Sequence, residues 1–387
     1  MQESAFYGTI LIVKNRERRK CVNKMPTPKS ANKKFDSEVI TAVFLLFLSV
    51  LLIFTVGVLI FRSCENGETS GFPQEIETTP STDVPTTPLT SKPYFSEQSQ
   101  TVSFNTPSQY IVLTNEKTGE IIASLSSGTR FSPASMTKVM TLIVMCERLS
   151  ENDLNETITF TSEMYNYVRS GNYADSTNYG IDPDDEYKIK DLLYGIGLKS
   201  ASDCVLPVVL HLAGTEDQFV AWMNEKVAEL GLENTHFDNP IGYESQNNYT
   251  TAEDMSQIMA YAMKNELVRS TLSKETHQST AAGYSSTGEY KPSFPITFYS
   301  SLFGMNDGSR MYNYKKTYGV DFKLETAKLL AGKTGYLENG GVKNHCLVVY
   351  LKDIDSDAHY ILVVGGGTEQ QAATMKDIKN ILDTYIK

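Results

Sequence analysis

A chain of 387 residues with 41% apolar and 21% charged side chains holds enough apolar material for a sizeable core and exceeds one typical domain. Its formal charge of −11 argues against a nucleic-acid protein, because phosphate recognition rests on clustered Lys and Arg over the folded surface. The charge is also uneven: residues 1–38 carry nine Lys/Arg against four Asp/Glu, so everything after them is more acidic still.

After this basic leader, residues 39–61 run from Val39 to Phe61 without a charge, 23 residues in all. About 20 helical residues span the hydrocarbon core of a bilayer, so the sequence predicts one transmembrane anchor. A cleaved signal peptide would need a short leader and a small-residue cleavage site, whereas Arg62, Ser63, Cys64 and Glu65 follow the run. The positive-inside bias keeps the basic leader in the cytoplasm and predicts a single-pass protein of the cell membrane with the rest of the chain extracytoplasmic. Residues 62–104 come next. Of the 35 residues from Asn66 to Gln100, 17 are Thr, Ser or Pro, too few of them apolar to offset the entropy of ordering, and the stretch reads as a stalk. Cysteines at 21, 64, 146, 204 and 346 show no CxxC and no zinc spacing, and read as free thiols.

Residues 105–387 read as one folded domain. Tyr110–Leu113 and Glu120–Ser124 are short strand-like runs joined by a hairpin turn at Asn115–Gly119. A helix start at Pro133 leads into an apolar run to Cys146, apolar on nearly every side, which marks a central buried helix. The middle of the chain is mostly helical in pattern. Strand-like runs return at His345–Leu351 and Tyr360–Val364, and a helix from Thr368 to Ile386 closes the chain. Strands at both ends with a helical middle predict an α+β fold: one antiparallel sheet built from the two chain ends, helices packed on it, and an inserted helical lobe.

Three polar elements stand out. Ser135 and Lys138 sit at i and i+3 on one face of the helix start. A lysine opening so apolar a helix loses hydration, which lowers its pKa and lets it act as a base toward a neighbouring serine. Ser30 and Lys33 share the same spacing in the leader without such a context, so spacing alone is a weak signal. Ser200-Ala201-Ser202 breaks two apolar runs, which also suits a plain helix junction capped by a serine. Lys333-Thr334-Gly335 offers a cation, a hydroxyl and a residue without a side chain, fit for a strand against which a carboxylate-bearing substrate lies closely; Lys117-Thr118-Gly119 repeats that triplet in the first hairpin turn. No histidine set suggests a metal, and no cofactor is expected.

Taken in order, these landmarks resemble the penicillin-binding serine D-alanyl-D-alanine carboxypeptidases, relatives of the SxxK acyltransferases and serine β-lactamases. The likeness also includes Asp191-Leu192-Leu193-Tyr194-Gly195, Thr235-His236-Phe237-Asp238-Asn239-Pro240-Ile241-Gly242 and Tyr249-Thr250-Thr251-Ala252-Glu253-Asp254. The resemblance implies a β-lactamase/transpeptidase-like fold, Ser135 as acylated nucleophile, Lys138 as its base and Ser200 as proton relay. It further implies Lys333, Thr334, Gly335 and Ser202 at the substrate, and the backbone N–H groups of Ser135 and Tyr336 as oxyanion hole. The implied reaction removes the terminal D-alanine from peptidoglycan stem peptides, with β-lactams as covalent inhibitors. A D,D-transpeptidase or endopeptidase with the same site, or a turnover-deficient peptidoglycan-binding or β-lactam-sensing module, are the other readings. The last is kept open by Ser202, which stands where the family usually has Asn. A β-lactamase would need a deacylating carboxylate, for which the sequence shows no landmark. Many relatives carry a C-terminal β-domain and membrane helix; here the N-terminal anchor is expected to serve for attachment.

Overall fold

The computed structural model describes residues 90–280, 283–284, 290–291, 296–302, 324–369 and 371–386. The basic leader, the apolar run at 39–61 and most of the stalk lie outside these residues. Among the described residues no helix is long and apolar enough to cross a membrane.

Six strands form the central sheet: β1 (Tyr94–Thr101), β2 (Tyr110–Asn115), β3 (Glu120–Leu125), β4 (Ala327–Asn339), β5 (Val342–Asp353) and β6 (His359–Gly367). Their spatial order is β1-β3-β2-β6-β5-β4, so the two chain ends meet where β2 pairs antiparallel with β6, Val112 opposite Val363. The expected joining of the termini is therefore present. The sheet is mixed, however, because β1 pairs parallel with β3. That strand also corrects the position of the stalk's end: the composition of Tyr94–Thr101 predicts stalk, but these residues form the first strand of the sheet. Its side chains are mostly exposed, so main-chain pairing holds it, with Tyr94 N–H donating to Gly119 O at 3.0 Å and Val102 N–H to Ser124 O at 2.9 Å.

The runs in β5 and β6 are apolar almost without alternation because both sheet faces are covered. On one face Val112, Ile121, Val348, Ile361 and Val363 meet the helical layer. On the other, Ile111, Leu113, Val349, Leu362 and Val364 meet Ile378, Ile381 and Leu382 of the C-terminal helix Gln371–Tyr385. Burying each such side chain contributes about 1.5–3 kcal/mol.

The helical layer is built round α1 (Thr137–Arg148), in which every residue from Thr137 to Cys146 is buried. The lobe follows with α2 (Ile189–Tyr194), a wide π-helical turn at Gly195–Lys199, α3 (Val205–Ala213) and α4 (Glu216–Glu229). The helix α5 (Ala252–Ala262) returns across the sheet; Thr251 caps it by accepting from the Asp254 N–H. The described cysteines, 146, 204 and 346, are free and buried.

Candidate active site

The site forms where the start of α1, the π-turn after α2 and the edge strand β4 converge. A tight turn at Ala134–Met136 leads into α1 from Pro133. Ala134 has φ +47°, a left-handed conformation that non-glycine residues seldom adopt and that persists only where the surroundings impose it. Two glycines let those surroundings close in. A Cβ on Gly335 would stand 3.0 Å from Pro133 O, and one on Gly242 would overlap the carbonyl of Ala134. The Asn344 side chain donates to Ser132 O at 2.9 Å and the Cys346 thiol to Pro133 O at 3.2 Å. Strand and loop thus grip the turn that carries Ser135.

Lys138 is fully buried. Its Nζ lies 3.1 Å from Ser135 Oγ and donates to Ile241 O at 2.6 Å. Burial holds its pKa well below the ordinary lysine value, the Lys333 charge pushes it further down, and Asp203 opposes both. A lysine so placed gives up its proton readily, and a neutral amine beside a hydroxyl is a base. The Ile241 carbonyl is held in place by Asn239, whose Oδ1 accepts from the N–H groups of Ile241, Gly242 and Tyr243 at 3.3, 2.8 and 2.9 Å.

Across the cleft, Ser200 ends the π-turn with φ +63°, a second left-handed non-glycine residue beside the site. Lys333, on β4, donates to Ser200 Oγ and to Thr334 O, each at 2.8 Å. It too is fully buried, and burial lowers its pKa to about 7. Thr334 Oγ1 and Ser301 Oγ are hydrogen-bonded at 2.9 Å, and the Ser301 N–H donates to Leu198 O at 2.8 Å, which ties the strand to the π-turn. Ser135, Ser200, Thr334, Gly335 and Tyr336 line one cleft of about 200 Å³, together with the segment Asp175–Thr177.

The structure therefore brings Ser135, Lys138, Ser200, Lys333, Thr334, Gly335 and Tyr336 together. Ser202 is placed differently. Its side chain is fully buried and, among the described residues, its Oγ has no hydrogen-bond partner; its N–H donates to Thr177 O at 2.7 Å. It stands behind the cleft and not on its surface, contrary to the expectation of direct substrate contact. Lys117-Thr118-Gly119 lies in the turn between β2 and β3, and His236 pairs by its backbone with Tyr249; neither lines the cleft. Sequence reasoning missed Asn239, Ser301 and Asp203 as supports of the site. Asp203 accepts the N–H groups of Tyr179, Gly180 and Ile181 at 2.9, 2.7 and 3.2 Å, which anchors the segment leading from Thr177. Asn239 was visible inside a landmark motif, but only the folded chain shows what it holds.

A helix-borne serine beside a buried lysine, faced by a second serine–lysine pair over a sheet edge, defines the class of SxxK-type penicillin-binding folds. The chain belongs to the family described as D-alanyl-D-alanine carboxypeptidase, Peptidase_S11, which matches residues 96–294. It is similar to the D-alanyl-D-alanine carboxypeptidase DacF of Bacillus subtilis strain 168, 32% identical over 160 residues, which cover 41% of this chain and 39% of that one. A Streptomyces sp. strain K15 D-alanyl-D-alanine carboxypeptidase is 27% identical over 208 residues, covering 50% of this chain and 69% of its own. The match with the Bacillus relative thus spans about two fifths of that protein's length. The crystal structure of the Streptomyces K15 DD-transpeptidase shares the fold, with a TM-score of 0.58 at 22% identity over 73% of this chain and 98% of that one. Lys333 lies beyond the family match, so its place opposite Ser135 rests on the geometry.

Proposed function

We propose that the chain is a serine D-alanyl-D-alanine carboxypeptidase acting through an acyl-enzyme on Ser135. The observation that carries this reading is the 3.1 Å contact between Ser135 Oγ and the buried Lys138 amine. In the reaction, Ser135 Oγ attacks the carbonyl of the penultimate D-alanine and its proton passes to Lys138 Nζ. The backbone N–H groups of Ser135 and Tyr336 would hold the oxyanion, an effect worth about 3–4 kcal/mol per donor in hydrolases. As the C–N bond breaks, Ser200, hydrogen-bonded to Lys333, passes its proton to the leaving amine and regains one from the Lys138 ammonium, so that Lys138 is neutral again and free D-alanine departs. Water then attacks the ester with Lys138 again as base, which restores Ser135 and releases the shortened peptide. The departing residue's carboxylate meets the hydroxyls of Thr334 and Ser301, with the Lys333 charge behind them. Gly335 keeps the strand close to the turn, and Ser202 acts from behind through Thr177. A β-lactam would acylate the same oxygen.

The apolar run at 39–61 would anchor the chain in the cell membrane, with the basic leader in the cytoplasm and residues 62 onward as a spacer and catalytic domain on the outer side. Peptidoglycan stem peptides ending in D-alanyl-D-alanine are found there.

Release of D-alanine from an acyl-D-alanyl-D-alanine peptide tests the reaction. The wild type is expected to release it and Ser135→Ala to release none; no release by folded wild-type protein contradicts the proposal. The pH profile is a second test. Lys138 must be neutral to accept a proton, whereas Lys333 must be charged to attract a carboxylate. Because burial lowers Lys333 to about 7, kcat/KM, which reports the free enzyme, is expected to fall as pH rises through about 7. With Lys333→Arg, whose charge persists at every working pH, that descending limb should vanish from the residual activity. A wild-type profile flat from pH 6 to pH 9 would show that the Lys333 charge plays no part.

A further inference from the structure

Outside the cleft, a buried carboxylate draws three hydrogen bonds from one short ribbon. Asp191, in the first turn of α2, is buried. Its Oδ1 lies 2.6 Å from His277 Nε2, and its Oδ2 accepts from the Thr280 N–H at 2.9 Å and from the Thr280 hydroxyl at 2.8 Å. Burial pushes the Asp191 carboxyl up, but the hydrogen bonds from His277 and Thr280 outweigh it and hold the group below the ordinary aspartate value. Asp191 is therefore the acceptor, and His277 Nε2 carries the proton. The imidazole also stacks on Tyr194, 3.9 Å between ring centroids, three residues along α2 from Asp191 and so on the same helix face.

His277 belongs to a ribbon in which Thr276–Gln278 pairs antiparallel with Thr297–Tyr299, His277 opposite Phe298. So short a ribbon has little stability of its own, and what its faces meet decides where it sits. Cross-strand partners share a face. On that face Phe298 is fully buried, T-shaped against Tyr179 and 3.1 Å from where a Cβ on Gly195 would stand. The second strand then leads to Ser301. The Ser300 N–H donates to Glu275 O and the Ser301 N–H to Leu198 O, each at 2.8 Å, and the Ser301 hydroxyl comes to lie in the cleft, 2.9 Å from Thr334 Oγ1. One end of the ribbon is thus clamped to α2, and the other supplies a hydroxyl to the carboxylate end of the cleft.

We propose that His277 is a positioning residue: by donating to Asp191 it seats the ribbon on α2, holds the Ser301 hydroxyl at the carboxylate end of the cleft, and so sets the preference for a peptide with a free C-terminal carboxylate. This rests on the acyl-transfer reading of the cleft. Without His277, Asp191 keeps only the Thr280 donors and its Oδ1 loses the hydrogen bond that satisfies it. A buried charged acceptor left so is costly, and the ribbon shifts to let water reach it, taking Ser301 with it. The carboxylate contact is made alike in the ground and transition states, so its loss resides in KM.

The test compares diacetyl-Lys-D-Ala-D-Ala with its C-terminal amide, following release of D-alanine and of D-alaninamide. The wild type is expected to favour the acid by more than about tenfold in kcat/KM, and Ser301→Ala to cut that ratio by about tenfold, the value of one hydrogen bond to a charged group. His277→Ala should cut it by a comparable factor through the KM of the acid. His277→Gln, whose amide N–H reaches about as far as Nε2, should restore it. In the double variant His277→Ala/Ser301→Ala the ratio should fall no further than in Ser301→Ala, because both changes remove the same contact. A wild-type ratio near one, an unchanged ratio in folded His277→Ala, or a fall that adds in full to that of Ser301→Ala overturns the proposal. A purely structural His277 would slow both peptides alike and keep their ratio. If His277→Ala does not fold, Thr280→Val, at an exposed position, removes one donor of the same clamp: a smaller fall in the ratio supports the proposal, and no fall overturns it. If the wild type releases nothing from either peptide, the reaction assigned to the cleft fails separately. The clamp is then judged by equilibrium binding of the acid and the amide to Ser135→Ala, with and without His277→Ala: loss of the acid's advantage supports it, and persistence of that advantage overturns it.

Discussion

Lys138→Met is expected to slow acylation of Ser135 by a penicillin by about 10²- to 10⁴-fold, the range that a positioned general base supplies, while the protein remains folded. Methionine fills the buried slot with a flexible side chain of similar length but has no lone pair basic enough to take the Ser135 proton. Two effects on stability oppose each other. The Ile241 carbonyl loses the donor now 2.6 Å away, and an unsatisfied buried acceptor costs about 1–3 kcal/mol. A buried amine whose pKa is depressed mainly by burial is removed, which relieves its desolvation. The thermal midpoint should therefore move little, so that a fall in acylation reports chemistry. Rapid-mixing kinetics with a fluorescent penicillin, beside a thermal melt, measures both. Wild-type acylation by folded Lys138→Met would remove the lysine from the mechanism.

The second large effect is expected at Gly242, a position without any functional group. Its φ is +76°, and a Cβ there would overlap the Ala134 carbonyl. Alanine must leave the left-handed region or push the Ser135 turn away. Backbone strain of this kind costs about 1–3 kcal/mol, and displacement of a nucleophile by about 1 Å can cost about a hundredfold in rate. Gly242→Ala should thus lower the urea midpoint and slow acylation by about two orders of magnitude together. The loop's hold on the turn would be refuted by an alanine variant that keeps both the midpoint and the rate.

Much of the sheet could be read in advance because β5 and β6 are buried on both faces, which leaves unbroken apolar runs in the sequence. β1 could not. Its Ser, Gln and Thr residues belong compositionally with the stalk, and the hydrogen bonds that recruit it run through the main chain, where sequence carries no record. Its parallel pairing was hidden for the same reason. In the site, Ser135 and Lys138 were legible from i,i+3 spacing at the mouth of an apolar helix. The role of Asn239 was not, because three backbone N–H groups converging on one side chain exist only once the loop has closed. Ser202 shows the opposite failure. Its position in a motif suggested contact with substrate, yet the chain turns at Ser200 through a left-handed conformation, and Ser202 falls inside the protein.

The central claim is that Ser135 is a nucleophile activated from within its own helix. Mass spectrometry of the intact protein after exposure to benzylpenicillin, followed by proteolysis and sequencing of the modified peptide, tests it most directly. One covalent penicilloyl group on Ser135, absent from Ser135→Ala, is the expected result. An adduct on a different residue, or none on folded wild-type protein, would contradict it.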